Sequence, residues 1–181
     1  MGMTQLFRGE LDSFSELLYA ALNHATPLYT LSEERGEPAG STSASGDLQD
    51  IWAESALARA IRYSLVMEQN DALMIARGIP REWLVSGKPI IVKNAPSHFG
   101  KVSYRLCYYA DTGEIAGSVD VPKEYPPGEV RLYLRLPSDW SVQGVNPGCD
   151  ATLVQDTPPV STGNQCPVLV WKKTAGALNF G

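Results

Sequence analysis

Cysteine and histidine are scarce in this sequence. Three cysteines and two histidines occur among 181 residues, and Cys107, Cys149 and Cys166 are far apart in the chain. This number and spacing exclude a disulfide framework or a zinc cluster, so the sequence predicts neither a metal nor another cofactor. Few cysteines also suit a reducing compartment, and we expect a cytoplasmic protein.

Long hydrophobic runs are missing as well. No stretch approaches the roughly 20 apolar residues that a membrane-spanning helix needs, and residues 1–8 lack the basic start and apolar core of a secretory signal. Hydrophobic residues still make up 44% of the chain, enough for the core of one large or two small domains. The sequence therefore predicts a soluble globular protein with no membrane partner.

Positive charge is scarce in the N-terminal part. Residues 1–70 carry ten acidic and four basic side chains, a net of −6, whereas residues 71–181 carry ten acidic and eleven basic, a net of +1. A nucleic-acid surface needs a basic stripe with exposed aromatics, and neither part supplies one, so no nucleic-acid partner is expected. The acidic residues would be solvated helix faces or the wall of a sugar-binding cleft, and composition leaves both open.

Helical periodicity begins near the N-terminus. Apolar residues recur at helical spacing from Phe7 to Leu22, which predicts a first helix ending near His24. Ser13 and Glu16 would form a capping box if the helix began there instead of closer to the N-terminus.

A second helix is expected after a long loop. Residues 32–47 are rich in glycine, proline, serine and threonine, which indicates a loop. Asp47 would then cap a helix from Leu48 to about Glu68. Two helices cannot enclose a core by themselves, so this helical hairpin must dock on the rest of the chain or on another chain.

The hydrophobic period changes to two after residue 71. The clearest signal is a hairpin, in which residues 102–108 alternate, a turn follows at Ala110–Gly113, and residues 115–121 return. One helical turn is expected at Arg81–Leu84. Further strands are expected over residues 72–76, 89–93, 130–136, 140–145, 151–154 and 168–171.

Seven or eight short strands over about a hundred residues are typical of a β-sandwich. The sequence therefore predicts an α+β protein, in which a helical segment over residues 1–70 precedes an antiparallel β-sandwich over residues 71–174. Residues 175–181 would form a tail.

Several segments of the second part resemble a known family. The run Leu73–Leu84, then Gly87 and Lys88, and then Asn94–Tyr104 resemble the start of the C-terminal β-domain of large bacterial glycoside hydrolases. Those enzymes have an (α/α)6-barrel catalytic domain, and α-L-rhamnosidases and related enzymes are the nearest comparison. Val142–Gly148 is similar to the Val-x-Val-Asn-Gly turn of such domains, with an insertion. The resemblance implies that residues 1–70 correspond to the last two barrel helices.

The resemblance also implies a candidate catalytic base. In this family the loop before the last helix often carries a Thr-Thr-Leu-Trp-Glu-like element, whose glutamate is the base. Tyr29–Glu33 occupies the equivalent place with Ser32 where the family has tryptophan, and Thr42–Gly46 follows without the histidines of the family. Glu33 is thus the candidate base, with Glu34 as the alternate. A solvated charge cluster on a loop is the competing interpretation of these residues.

One carboxylate does not make a glycosidase. An inverting enzyme needs two carboxyl groups about 6.5–9.5 Å apart, one acting as acid and one as base. No residue of this chain can be assigned as the general acid, so we expect the chain alone to be inactive.

Aromatic residues offer a second kind of site. Tyr109 and Tyr133 fall on the polar phase of their strands, and on one sheet face they would form a carbohydrate platform. Cross-strand packing of two tyrosines explains them equally well. Four tryptophans would also suit stacking on sugar rings, but within apolar patterns we expect them in the core. They are Trp52, Trp83, Trp140 and Trp171.

Two functions follow from these observations. The first is the C-terminal portion of a glycoside hydrolase-like protein, whose sandwich supports a carbohydrate-cleaving barrel. Its partners would be carbohydrate and either the missing barrel portion or a second copy bound through the helical hairpin. The alternative is a non-catalytic carbohydrate-binding or protein-interaction sandwich. An exposed apolar helix face would favour the first function, and a line of exposed aromatics on one sheet face the second.

Overall fold

The chain folds into two compact units, Met1–Tyr63 and Ser64–Gly181. The computed structural model describes residues 2–35, 44–47, 49–156, 166–172, 174 and 176–181. Helices precede two mostly antiparallel sheets, which confirms the predicted α+β class. The boundary expected near residue 70 falls inside a β-hairpin of the second unit.

The first unit begins with two helices, α1 (Met3–Arg8) and α2 (Leu11–Asn23). Gly9 ends α1 in the left-handed conformation, with φ of 80°, which glycine adopts without steric cost. The single first helix predicted from periodicity is therefore divided. Its expected end near His24 is confirmed, but the capping box is wrong because α2 begins before Ser13 and has no side-chain cap.

A small ribbon occupies part of the predicted loop. Strand β1 (Glu34–Arg35) pairs antiparallel with β2 (Ala44–Ser45). Helix α3 (Ile51–Leu65) follows. Asp50, and not Asp47, caps α3, because its two carboxylate oxygens accept hydrogen bonds of 3.0 and 3.1 Å from the backbone N–H groups of Trp52 and Ala53.

Helix α3 ends earlier than predicted because the chain enters a sheet. Strand β3 (Val66–Gln69) starts directly after Leu65 and pairs with β4 (Ala72–Ile75). Ser64 and Leu65, the last two residues of α3, belong to the second unit, and their carbonyls accept hydrogen bonds within it. Leu65 O accepts from Ala76 N at 2.9 Å and Ser64 O from Gly78 N at 3.0 Å. These groups would otherwise lack partners at a helix end.

The described residues of the second unit form two sheets and the predicted helical turn, α4 (Arg81–Leu84). One sheet has the order β3-β4-β8-β10-β9 and the other β11-β7-β6-β5. All pairs are antiparallel except β4 and β8, which are parallel. The remaining strands are β5 (Ile90–Ser97), β6 (Gly100–Tyr109), β7 (Glu114–Val121), β8 (Glu129–Tyr133), β9 (Thr152–Asp156), β10 (Cys166–Trp171) and β11 (Gly176–Phe180).

The predicted hairpin is confirmed, whereas two other expectations are wrong. Residues 103–109 of β6 pair antiparallel with residues 114–120 of β7. Residues 140–145 form no strand, and a turn closed by the hydrogen bond from Trp140 N to Pro137 O, at 3.0 Å, precedes them. The expected tail contains β11, which pairs with β7 and buries alternate residues.

The main core lies between the two sheets. Trp171 of the five-stranded sheet packs on Phe180 of the four-stranded sheet, with ring centroids 6.0 Å apart. Both belong to a continuous cluster of buried apolar residues drawn from both sheets. Alternate residues of β6, β8, β10 and β11 supply this cluster.

Gly117 marks a close approach between strands. It lies in β7 opposite Leu106 and Phe180, and a Cβ there would meet the backbone carbonyl of Arg105 and lie 3.0 Å from Phe180 Cζ. A backbone atom cannot move aside as a flexible side chain can. We expect Gly117→Ala to lower the free energy of unfolding by about 1–3 kcal/mol.

Urea denaturation of matched variants checks this expectation. In Gly148→Ala the new methyl group has no neighbour within 4 Å, so the free energy of unfolding should change by no more than about 0.5 kcal/mol. Equal effects of the two substitutions would contradict the packing argument.

Candidate functional site

Glu33 lies at the entrance to the ribbon of the first unit. Its backbone N–H donates to Asp47 O at 2.9 Å, and its Oε2 accepts from Asp47 N–H at 3.3 Å. A side chain on Gly46, whose φ is 70°, would collide with the Glu33 carboxylate. The exposed carboxylate is therefore held against the ribbon backbone by a defined contact.

Glu34, the alternate candidate, lies in β1 opposite Ser45. Its side chain is also exposed, and its backbone carbonyl accepts a hydrogen bond of 3.0 Å from Ser32 Oγ. Neighbouring side chains of an extended segment point to opposite sides.

Four large apolar side chains in the two segments that the Leu31–Asp50 hydrogen bond joins are exposed, and we call them the apolar patch. Leu28 is 75% exposed, Tyr29 91%, Ile51 72% and Trp52 84%. Isolated exposed apolar residues are ordinary, but four grouped residues of this size indicate an interaction surface.

Backbone hydrogen bonds bring the two halves of the apolar patch together. Leu31 O accepts from Asp50 N at 2.8 Å. Tyr29 is two residues from one end of this bond, and Ile51 and Trp52 are within two residues of the other. The Glu33–Asp47 bond ties the same two segments. The carboxylate of Glu33 is thus attached to the same paired segments as the patch.

A hydrogen-bonded turn presents the first half of the apolar patch. Thr26 N donates to Thr30 O at 2.8 Å, and the two threonine hydroxyls are 2.7 Å apart. Tyr29 at the tip has φ of 61°, a conformation that a bulky side chain rarely adopts. Such strain is often retained at functional positions. A hydrogen-bonded turn therefore holds Tyr29 in an exposed position.

The expected tyrosine platform is wrong. Tyr109 is exposed in β6 of the four-stranded sheet, where its hydroxyl accepts a hydrogen bond of 3.1 Å from Arg105. Tyr133 lies in β8 of the other sheet and is only 1% exposed. The two side chains share no sheet face.

Tyr133 is buried because the segment after β4 covers its face of β8. The Arg77 guanidinium lies 5.4 Å from the centre of the Tyr133 ring. Beyond the ring, Arg135 is also buried and its Nε donates to Ile79 O at 3.3 Å. The face of β8 that carries Tyr133 is therefore packed against the protein. Alternation had suggested that this face is exposed to solvent.

Burial raises the pKa of two side chains, Tyr133 and Cys166. Loss of solvation raises the pKa of Tyr133 from 10.0 to about 12, although the nearby positive charge of Arg77 opposes the shift. The same cause raises the pKa of the Cys166 thiol from 9.0 to about 11. Both groups are held neutral, so neither is a nucleophile or a general base at physiological pH.

A cleft of about 210 Å³ opens at one end of the second unit. We call it the sandwich cleft. The sequence did not predict it, although Trp140, Val142 and Val145 lie among glycines and prolines, where apolar residues are unusual. Its lining includes Tyr108, Glu114, Leu134, Leu136, Trp140, Ser141, Gln143, Asn146, Leu169 and Phe180.

The tryptophans have different surroundings. Trp171 is a core residue as expected, and Trp83 packs against the same core. Trp52 belongs to the apolar patch and Trp140 to the sandwich cleft. Helical or alternating spacing did not separate these cases, because it does not show what covers a side chain.

Neither a metal centre nor a membrane helix adds to these two surfaces. Among the described residues no group of three His, Cys, Asp or Glu side chains is arranged to hold a metal ion. In the same part of the chain no helix has the length and apolar character needed to cross a membrane. Comparisons with protein-family models, curated proteins and solved structures found no match.

Proposed function

We propose that this chain is the C-terminal portion of a glycoside hydrolase-like protein, in which the β-sandwich supports a carbohydrate-cleaving barrel. The observation that carries this proposal is the apolar patch beside Glu33. It combines Leu28 and Tyr29 of a turn with Ile51 and Trp52 at the start of α3, and so offers an exposed apolar surface to the barrel portion. The tyrosine pair on which the alternative relied is divided between two sheets, and Tyr133 is buried.

Covering the patch would be strongly favourable. Each large apolar side chain that leaves water contributes about 1.5–3 kcal/mol. The barrel portion would cover Leu28, Tyr29, Ile51 and Trp52, or leave the aromatic pair at the edge of the substrate site. In the absence of that portion, the patch favours self-association of the chain.

Glu33 would serve as the general base. Its carboxylate would take a proton from the water that attacks the anomeric carbon, while an acid from the barrel portion protonates the departing oxygen. The hydrogen bond from Asp47 N–H holds the Glu33 carboxylate in a defined position on the ribbon. An exposed tyrosine and tryptophan nearby offer apolar faces for the C–H groups of a sugar ring.

The test compares this chain with a protein extended by the coding sequence upstream of Met1. Aryl glycosides should be hydrolysed by the extended protein and not by this chain alone. A barrel-sized open reading frame upstream is required, and a non-coding region there would overturn the proposal. Turnover by the isolated chain would contradict the expected need for an external acid.

Within the extended protein, Glu33→Gln should reduce kcat by about 10²–10⁴-fold, the usual contribution of a general base. Glutamine keeps a side-chain oxygen that can accept from Asp47 N–H, so the ribbon should be preserved. Glu34→Gln is the matched control and should change kcat by only a few-fold. An active Glu33→Gln protein, or an inactive control alone, would remove Glu33 from the role of base.

A further inference from the structure

The sandwich cleft has the size of one six-membered ring. Its volume is about 210 Å³. An apolar cavity of about 150 Å³ accommodates benzene, so a ring with several substituents fits. The cleft lies wholly within the second unit and uses none of the residues around Glu33.

The inner part of the cleft is apolar. Leu134, Leu136 and Leu169 of the five-stranded sheet and its continuation form the floor with Phe180 of the four-stranded sheet. These side chains are buried in the protein but border the cleft. Water held against such a floor gains few hydrogen bonds, so an apolar ligand surface would replace it favourably.

One wall of the cleft is an aromatic pair. The rings of Tyr108 and Trp140 have centroids 5.1 Å apart and an interplanar angle of 62°. This edge-to-face contact fixes the ring of Trp140, which is nevertheless 41% exposed. A fixed, accessible aromatic ring is a suitable surface for the C–H face of a ligand.

The rim of the cleft is polar. Gln143 Nε2 donates to Ser141 Oγ at 3.0 Å, which orients both exposed side chains. This bond leaves the Ser141 hydroxyl proton and the Gln143 carbonyl oxygen without a hydrogen bond to any other described residue. Asn146 and Glu114 also line this rim. Exposed donors and acceptors therefore accompany the apolar residues in the lining of the cleft.

We propose that the sandwich cleft binds a single pyranose ring, with its C–H face against Trp140 and the leucine floor and its hydroxyl groups at the rim. A pyranose combines an apolar face with a polar edge in the size of one ring, as the cleft does. The choice of a sugar over other small rings rests on the proposed function. The cleft would be a non-catalytic anchor for the glycan, distinct from the site at Glu33.

Nuclear magnetic resonance of this chain tests the proposal directly. Methyl glycosides of glucose, galactose, mannose, rhamnose and xylose are titrated while the four tryptophan indole N–H signals are followed. At least one glycoside should shift the Trp140 signal, identified by its loss in Trp140→Phe. The expected Kd is on the order of 1 mM, as befits a ligand of this size.

Two cleft variants and one control define the site. Trp140→Ala, in which binding is followed through the signals of the glycoside because the reporter indole is absent, should raise Kd about tenfold or more, the effect of losing a central aromatic contact. Gln143→Ala changes only an exposed rim residue, so it should weaken binding without affecting folding. Tyr125→Ala removes an exposed aromatic side chain outside the cleft and should leave Kd unchanged.

The outcomes separate this inference from the proposed function. Wild type and Glu33→Gln should bind the glycoside equally, because Glu33 is not in the cleft. If no glycoside shifts Trp140, or only phenol or indole does, the sugar site is overturned, whatever the result for Glu33. A glycoside-dependent shift that survives both cleft variants would also overturn it. Loss of the Glu33 role with binding intact would refute the proposed function and leave a ligand-binding cleft.

Discussion

Replacing Trp171 by alanine is expected to lower the free energy of unfolding of the sandwich by about 3–5 kcal/mol. Trp171 is 2% exposed and ends the central strand pairing of β10 with β8, opposite Val130. Its ring bridges the two sheets through Phe180. Alanine would leave a cavity between layers that cannot collapse fully, because both sheets are fixed by backbone pairing.

The same substitution at Trp52 supplies the control. Trp52 is 84% exposed, so Trp52→Ala should change the free energy of unfolding of this chain by no more than about 0.5 kcal/mol. Urea denaturation followed by near-ultraviolet circular dichroism measures both variants. If Trp171→Ala were as stable as Trp52→Ala, the sandwich core would not have the packing described above.

Alkaline pH is expected to destabilise the folded chain strongly. The pKa of Cys166 is raised from 9.0 to about 11 and that of Tyr133 from 10.0 to about 12, in both cases by burial. Burial also raises the pKa of Tyr104. Above pH 9 the unfolded chain therefore releases protons that the folded chain retains, and stability falls as the pH rises.

The size of this loss follows from the two shifts. Each group contributes full stability below its unfolded pKa and loses roughly 2–3 kcal/mol by the time the pH passes its folded pKa. Most of the loss should lie between pH 9 and pH 12. Together the groups suffice to unfold a marginally stable domain.

Urea titrations at pH 8 and pH 11.5 on wild type, Tyr133→Phe and Cys166→Ala would measure this effect. Each variant should lose less stability than wild type between the two pH values, even where its stability at pH 8 is lower. An equal pH dependence in all three proteins would show that these groups do not cause the loss.

Local signals predicted the parts of the fold that form from neighbouring residues. The β6–β7 hairpin was evident because alternation on both sides of Ala110–Gly113 has only one arrangement in which both apolar faces meet. The helical turn at Arg81–Leu84 was similarly local. Strand β11 was not predicted because its partner β7 is distant in sequence and its five residues give only a weak alternating pattern.

Pairing between distant segments was beyond sequence patterns. Strands β4 and β8 are parallel, with Leu73 opposite Val130, and no local motif marks such a contact. The burial of Tyr133 depended on the path of Arg77 above it. Alternation separates the two faces of a strand, but it does not show whether the second face is covered.

Sequence patterns likewise predicted only part of the candidate site. Glu33 was chosen through a resemblance, and its contact with Asp47 required the fold of the ribbon. The apolar patch was hidden because Trp52 satisfies the helical period as a buried residue would. The sandwich cleft depends on the end of a strand, an irregular segment and a distant aromatic residue meeting in space.

The termination of α3 places a limit on how the two units can be exchanged between proteins. Two carbonyl groups of its last turn are satisfied by Ala76 and Gly78, which follow β4. The hydroxyl of Tyr104 in β6 also donates to Leu65 O, at 3.3 Å. A recombinant chimera joined at residue 66 would separate Ser64 and Leu65 from the rest of the second unit and give the helix a foreign end. A junction upstream of the last turn would transfer the helix terminus together with the strands that complete it.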